Sequence, residues 1–264
     1  MFKKMKDCRM DFAVALVISL CASVVGLSGG MAFAQEAKAP EPPKKWETIA
    51  SAGVALTRGN SESLLANLGI DSVRKWPVDE VLLGAKAGYG ENTDPQTEVF
   101  TKTDQYVKGY GQYNHLFTER FYGGVRLDGI YDEVAGIQYR FVVTPMVGYY
   151  LVKNATTFLA VEAGPAGVYE KLKGQDSEFY VALRIAERFE HKFNERTKVW
   201  QMAEYLPQVD RFSNYSLNFE AGVSTVMSSH LDLRMVFSDS YRNEPSYGRK
   251  RNDLKLIAGI GYKF

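Results

Sequence analysis

Imidazole is the commonest acid–base and metal-binding group near neutral pH, so the three histidines, His115, His191 and His230, come first. Only His230 has a hydroxyl beside it in the chain, that of Ser229. A hydrolytic centre needs a His–Ser pair oriented by a third polar group. Adjacent residues of an extended chain point to opposite faces, so the sequence predicts that Ser229 and His230 do not meet. No Gly-x-Ser-x-Gly, His-Glu-x-x-His or phosphate-cradling glycine loop is present. Both cysteines, Cys8 and Cys21, lie in the first 34 residues, which leaves no metal-type cysteine spacing. The expectation is a protein that is not an enzyme and has no metal or other cofactor, its histidines serving at turns and interfaces.

A second set of chemically capable residues is charged: Arg126, Asp128, Glu162, Arg184, Arg188, Glu204, Glu220, Asp232, Arg234 and Lys255. Many alternate with apolar residues at a period of two, as in Phe179, Val181, Leu183 and Ile185 around Arg184. The last stretch shows the period best. Leu254, Leu256, Ala258, Ile260, Tyr262 and Phe264 share one face, against Asp253, Lys255, Ile257, Gly259, Gly261 and Lys263. Such a period means a strand with one greasy and one wet face. Charges on the wet face, once enclosed, demand partners of opposite sign from neighbouring strands.

The elements that position these residues are strands throughout. Twelve are predicted, at 48–58, 63–75, from about 81, then 103–116, 120–133, 136–152, 156–172, 178–192, 197–208, 214–227, 230–241 and 252–264. The fourth and ninth alternate poorly. Glycines at 88, 90, 109 and 111 are read as easing curvature or close packing. Tight turns near Pro77, Thr118, Asn154, Asn194 and Ser228 tend to alternate with longer polar links, among them the basic segment Arg242–Arg251. An even strand count with short and long links on opposite ends describes an antiparallel transmembrane β-barrel with both termini periplasmic. No segment of the mature chain has the roughly 18 apolar residues of a membrane helix.

The N-terminus predicts the same compartment. Lys3, Lys4, Lys6 and Arg9 precede an apolar run from Phe12 to Leu27 and a small-x-small site, Ala32-Phe33-Ala34, so residues 1–34 read as a removed signal peptide. Residues 35–45 are a Pro- and Lys-rich tether, and 46–264 form the barrel. The leader carries four of the 32 basic and two of the 31 acidic residues, leaving 28 against 29 and no reason to expect nucleic acid. Against the membrane barrel stands a soluble periplasmic β-barrel ligand binder, in which the apolar face would point inward.

The run Trp46…Ala52-Gly53-Val54-Ala55-Leu56-Thr57-Arg58-Gly59-Asn60-Ser61…Leu64…Leu68…Arg74 resembles the opening of the salt-induced outer-membrane protein family (domain of unknown function 481). The close, Tyr241 to Pro245, Asn252 to Leu254 and Gly261 to Phe264, is similar too. The terminal strand, ending on Phe264 with Tyr262 two before it, also resembles the membrane-insertion signal of bacterial outer-membrane barrels. These resemblances imply a barrel in the outer membrane of a Gram-negative bacterium; the expectation is a monomer in contact with lipid and lipopolysaccharide after the barrel-assembly machinery has inserted it. They carry no catalytic residue. The expected role is envelope integrity or passive passage of small ions or solutes. A plugged structural barrel is one alternative, and an outer-membrane enzyme acting on lipids is another.

Overall fold

The computed structural model describes residues 45–58, 63–93 and 100–264. The signal peptide, all of the tether but Lys45, and the turn at Gly59–Ser61 lie outside the described residues. Twelve strands follow one another: β1 (Glu47–Arg58), β2 (Ser63–Lys75), β3 (Asp79–Thr93), β4 (Phe100–Leu116), β5 (Phe121–Asp132), β6 (Ile137–Lys153), β7 (Thr157–Leu172), β8 (Ser177–Lys192), β9 (Thr197–Pro207), β10 (Tyr215–Val226), β11 (Leu231–Arg242) and β12 (Asn252–Lys263). Each pairs antiparallel with its sequence neighbours, and β12 returns to pair with β1, closing the barrel. Closure leaves no unpaired edge. It extends to the last residue, since the Phe264 amide donates to the Thr48 carbonyl at 3.0 Å.

The start of β1 and the end of β12 sit at one end of this barrel, here called the terminal end, with five short turns; the longest links lie at the other, the loop end. Side-chain oxygens close several short turns. Asn154 Oδ1 accepts from the amides of Thr156 and Thr157, Asn194 Oδ1 from those of Arg196 and Thr197, and Thr118 Oγ1 from that of Phe121. This is the reason Asn and Thr recur there: they supply the acceptor that a two-residue reversal lacks.

The apolar face points outward. On β6, Phe141, Val143, Val147, Tyr149 and Leu151 are exposed, while Arg140, Val142, Thr144, Met146 and Tyr150 between them are buried. A soluble barrel requires the reverse, so the soluble alternative fails on orientation. Aromatic side chains gather at both ends of the outer face. Tyr139 packs on Tyr169 at 5.6 Å and Tyr215 on Tyr205 and Tyr241 at 5.7 and 5.9 Å near the loop end. His115, Phe117 and Phe121 near the terminal end form a second cluster, as do His230, Tyr262 and Phe264. Between Tyr139 and Tyr149 a strand rising about 3.3 Å per residue at a tilt of about 40° spans roughly 25 Å, the height of a membrane barrel's apolar band. Glu187 interrupts the outer face, its carboxylate accepting from Gln201 Nε2 at 2.5 Å.

The weak alternation of β4 and β9 has a physical cause: aromatic rings face inward there. Tyr106 and Tyr110 on β4 lie over Gly88 and Gly84 of β3, and Trp200 on β9 lies over Gly222 of β10. A Cβ at Gly88 would stand 2.4 Å from the Tyr106 ring, so the glycine is what admits it. Close packing therefore explains Gly88, whereas Gly109 and Gly111 face outward with room to spare.

Candidate functional site

All ten of the sequence-predicted charges lie on the inward face of the wall, but the lumen they line is lopsided. Through the middle of β4–β8 the inward side chains are packed and buried, while Lys108 and Glu190 nearer the ends stay partly exposed. Glu162 on β7 is the hub, its carboxylate fully buried. It receives Gln112 Nε2 at 2.9 Å, the Tyr122 hydroxyl at 2.9 Å, Arg184 Nη1 at 3.0 Å and Arg188 Nη2 at 3.1 Å. Arg184 reaches on to Glu204 at 2.6 Å, and Arg126 pairs with Asp128 at 2.8 Å while donating to Gln112. Below the hub, Tyr122, Tyr150 and Phe158 stack at 4.8 and 5.3 Å, with the Tyr150 hydroxyl donating to Glu80 at 2.7 Å. Tyr122 and Tyr150 have no exposed surface. This half of the lumen is a filled core in which buried polar groups interleave with apolar ones such as Val142, Met146 and Val168.

The other half, along β10–β12 and β1–β3, is more open through its middle, with Ser224, Asp232 and Glu80 buried toward the terminal end. Asp71, Lys86, Asn218, Glu220, Arg234 and Lys255 all keep partial exposure, and the wall between them carries small residues such as Ser51, Gly53, Gly69 and Gly259. Ion pairs cross this cleft at two levels. Lys86 Nζ on β3 meets Glu220 Oε2 on β10 at 2.7 Å, between strands five steps apart on a ring of twelve. Lys86 nonetheless keeps 43% of its side chain accessible. Trp200 Nε1 also faces Glu220, at 3.4 Å, and the Arg234 guanidinium lies 5.4 Å over the Trp200 ring. Nearer the loop end Lys255 Nζ pairs with Asp104 at 2.6 Å. Asp232 pairs with Lys263 at the terminal end, at 2.8 Å.

At the loop end the two halves meet in a vestibule. A cavity of about 100 Å³ adjoins a smaller one of about 40 Å³; they share Ile130, Arg140, Ser216 and Asn218, and the lower one ends at Arg184 and Glu204. The segment 243–251 leans across the mouth instead of standing in solvent as a free basic loop. Ser246 is buried and donates to the Gly136 carbonyl in the β5–β6 turn at 3.2 Å. Gly136 has φ +75°, and a Cβ there would stand 2.8 Å from Ser246.

Ser229 and His230 do touch, contrary to expectation. Ser229 Oγ stands 2.8 Å from His230 Nδ1 because Ser229 lies in the turn, outside the extended strand. His191 contacts Thr157 Oγ1 at 2.9 Å, and His115 pairs with Asp79 at 2.9 Å. Sequence reasoning missed Lys86, Asp104, Arg140 and Glu170. Lys86 carried a usable signal, since it alternates with the apolar positions Leu83, Ala85, Ala87 and Tyr89 on the opposite face.

A closed twelve-stranded antiparallel barrel with an apolar exterior and a charged interior is a membrane barrel of the porin-like, outer-membrane type. The chain belongs to the family described as protein of unknown function, DUF481, whose model matches residues 50–264. No curated protein matches the sequence. Among solved structures it is similar to the NanC porin, at 9% identity and TM-score 0.53 over 82% of this chain and 100% of that one. It is also similar to an outer-membrane channel of Pseudomonas putida F1, at 9% identity and TM-score 0.51 over 89% and 100%. At such identities the likeness is one of fold.

Proposed function

We propose that this protein resides in the outer membrane of a Gram-negative bacterium with both termini in the periplasm and its vestibule facing outward. It offers small ions or solutes a narrow path along the β10–β3 wall, without covalent chemistry. The observation that carries this is the lopsided lumen, one half filled and one half wet, with the Lys86–Glu220 pair standing across the wet half. Magnitude decides which half yields. The side chains of that pair keep 43% and 26% of their surface accessible, so it is held less tightly than the sealed pairs of the hub. Breaking the buried hub at Glu162 costs about 3–5 kcal/mol, so the filled half stays shut. In this reading the resting barrel conducts weakly, and the filled half supplies the rigidity that an envelope protein needs. Mixed signs along the path argue against strong ion selectivity.

The placement is tested by single-cysteine labelling, which is clean because both natural cysteines fall in the leader. Tyr247, 97% exposed at the loop end, is replaced in one variant (Tyr247→Cys), and Ser229 at the terminal end in another (Ser229→Cys). A membrane-impermeant maleimide applied to intact cells should label the first variant only. Labelling of the Ser229 variant in intact cells would invert the orientation, and extraction of the protein without detergent would remove it from the membrane.

A further inference from the structure

The vestibule is lined by six basic side chains against three acidic ones, Asp104, Asp132 and Asp253. Local pairs occupy part of this excess, Lys255 with Asp104 at 2.6 Å and Lys108 with Asp132 at 3.6 Å. Arg140 and Arg242 differ, because both turn to the same carboxylate. Arg140 Nη2 stands 2.6 Å from Glu170 Oε2, and Arg242 Nη2 stands 2.6 Å from Oε1. Two guanidinium charges on one buried carboxylate leave one positive charge over. Arg242 also donates from Nε to the Glu244 carbonyl at 2.9 Å, which ties it to the roof, while its Nη1 is buried without a hydrogen-bond partner. An unpaired buried donor on a charged group is costly, and an anionic oxygen is the acceptor that satisfies it best.

We propose that the vestibule is a binding site for a small soluble anion bearing a carboxylate or phosphate group, held by Arg140 and Arg242 beside Glu170 and roofed by the segment 243–251. Arg242 Nη1 is the charged donor left for such an oxygen, since Glu170 and the Glu244 carbonyl engage the other nitrogens of that guanidinium. Lys250 and Arg251, exposed on the roof, draw anions toward the mouth. The cavity suits an anion of about phosphate or malonate size and excludes a lipid. This deepens the solute-path reading, resting on it only for the side from which the anion arrives.

The protein, purified in detergent and freed of lipopolysaccharide, is titrated calorimetrically with inorganic phosphate and with malonate. Wild type should bind both saturably, more weakly as salt rises. Losing one charged hydrogen bond makes Arg242→Gln weaker by about tenfold or more. Glu170→Gln removes the competing carboxylate and should bind more tightly, an effect of opposite sign that damage to the fold does not produce. Excess lipopolysaccharide should leave phosphate binding unchanged. The proposal is overturned by absence of saturable binding in wild type, by unchanged affinity in a folded Arg242→Gln barrel, by weaker binding in Glu170→Gln, or by displacement of phosphate by lipopolysaccharide. The readout needs no current through the barrel, so failure here leaves the wet path standing, and a silent barrel leaves this site standing.

Discussion

At the scale of single residues, the same residue types act differently according to how much water they keep. Glu162 and Glu220 are both inward carboxylates with basic partners, yet the first is sealed among four donors and the second faces an open cleft. Glu162→Gln leaves Arg188 with only a 3.5 Å contact to the Tyr122 hydroxyl, while Arg184 keeps Glu204. Urea unfolding in detergent micelles should then show a loss of about 3 kcal/mol. Glu220→Gln should cost about 1 kcal/mol or less in the same assay. Equal losses at the two sites would mean that the lumen is not divided as described.

At the scale of elements, strand number, order and outward face were all legible in the sequence. The reason is chemical: one face meets lipid and the other does not, so a period of two survives in Phe179 to Ile185 and in Leu254 to Phe264. It failed where tyrosines or tryptophan turned inward over glycines, on β4 and β9, because an aromatic residue does not say which face it occupies. Neighbouring charges could be assigned to one lumen, but partners across it could not. The Lys86–Glu220 and Arg242–Glu170 contacts exist only because β12 closes on β1, and closure is set by the whole ring. The roof was hidden for another reason: Ser246, its anchor, is a polar residue in a polar loop. The last strand supports a prediction of its own. Phe264 is 76% exposed on the outer face and packs only against Tyr262 among the described ring contacts. Phe264→Ser should therefore change the stability of the refolded barrel by less than about 1 kcal/mol. It should nevertheless lower the amount of folded barrel recovered from cells, seen as loss of the heat-modifiable band on a gel. Normal recovery would remove Phe264 from the role of insertion signal.

At the scale of the whole molecule, a twelve-stranded ring lies between barrels filled by side chains and those wide enough for an open channel. This chain divides the difference by filling much of β4–β8 and leaving the β10–β3 side more open. Under the proposed reading, the division lets a barrel with so many buried charges be both rigid and permeable, with the Lys86–Glu220 pair standing across the path. The most direct measurement is single-channel current in a planar bilayer for wild type, the double variant Lys86→Ala/Glu220→Ala, and Glu162→Gln. The wild-type barrel should pass a small current. The double variant should pass a severalfold larger one that scales with salt, and Glu162→Gln should resemble wild type. A double variant as quiet as wild type, or a larger current on loss of Glu162 instead, would contradict the path along the β10–β3 wall.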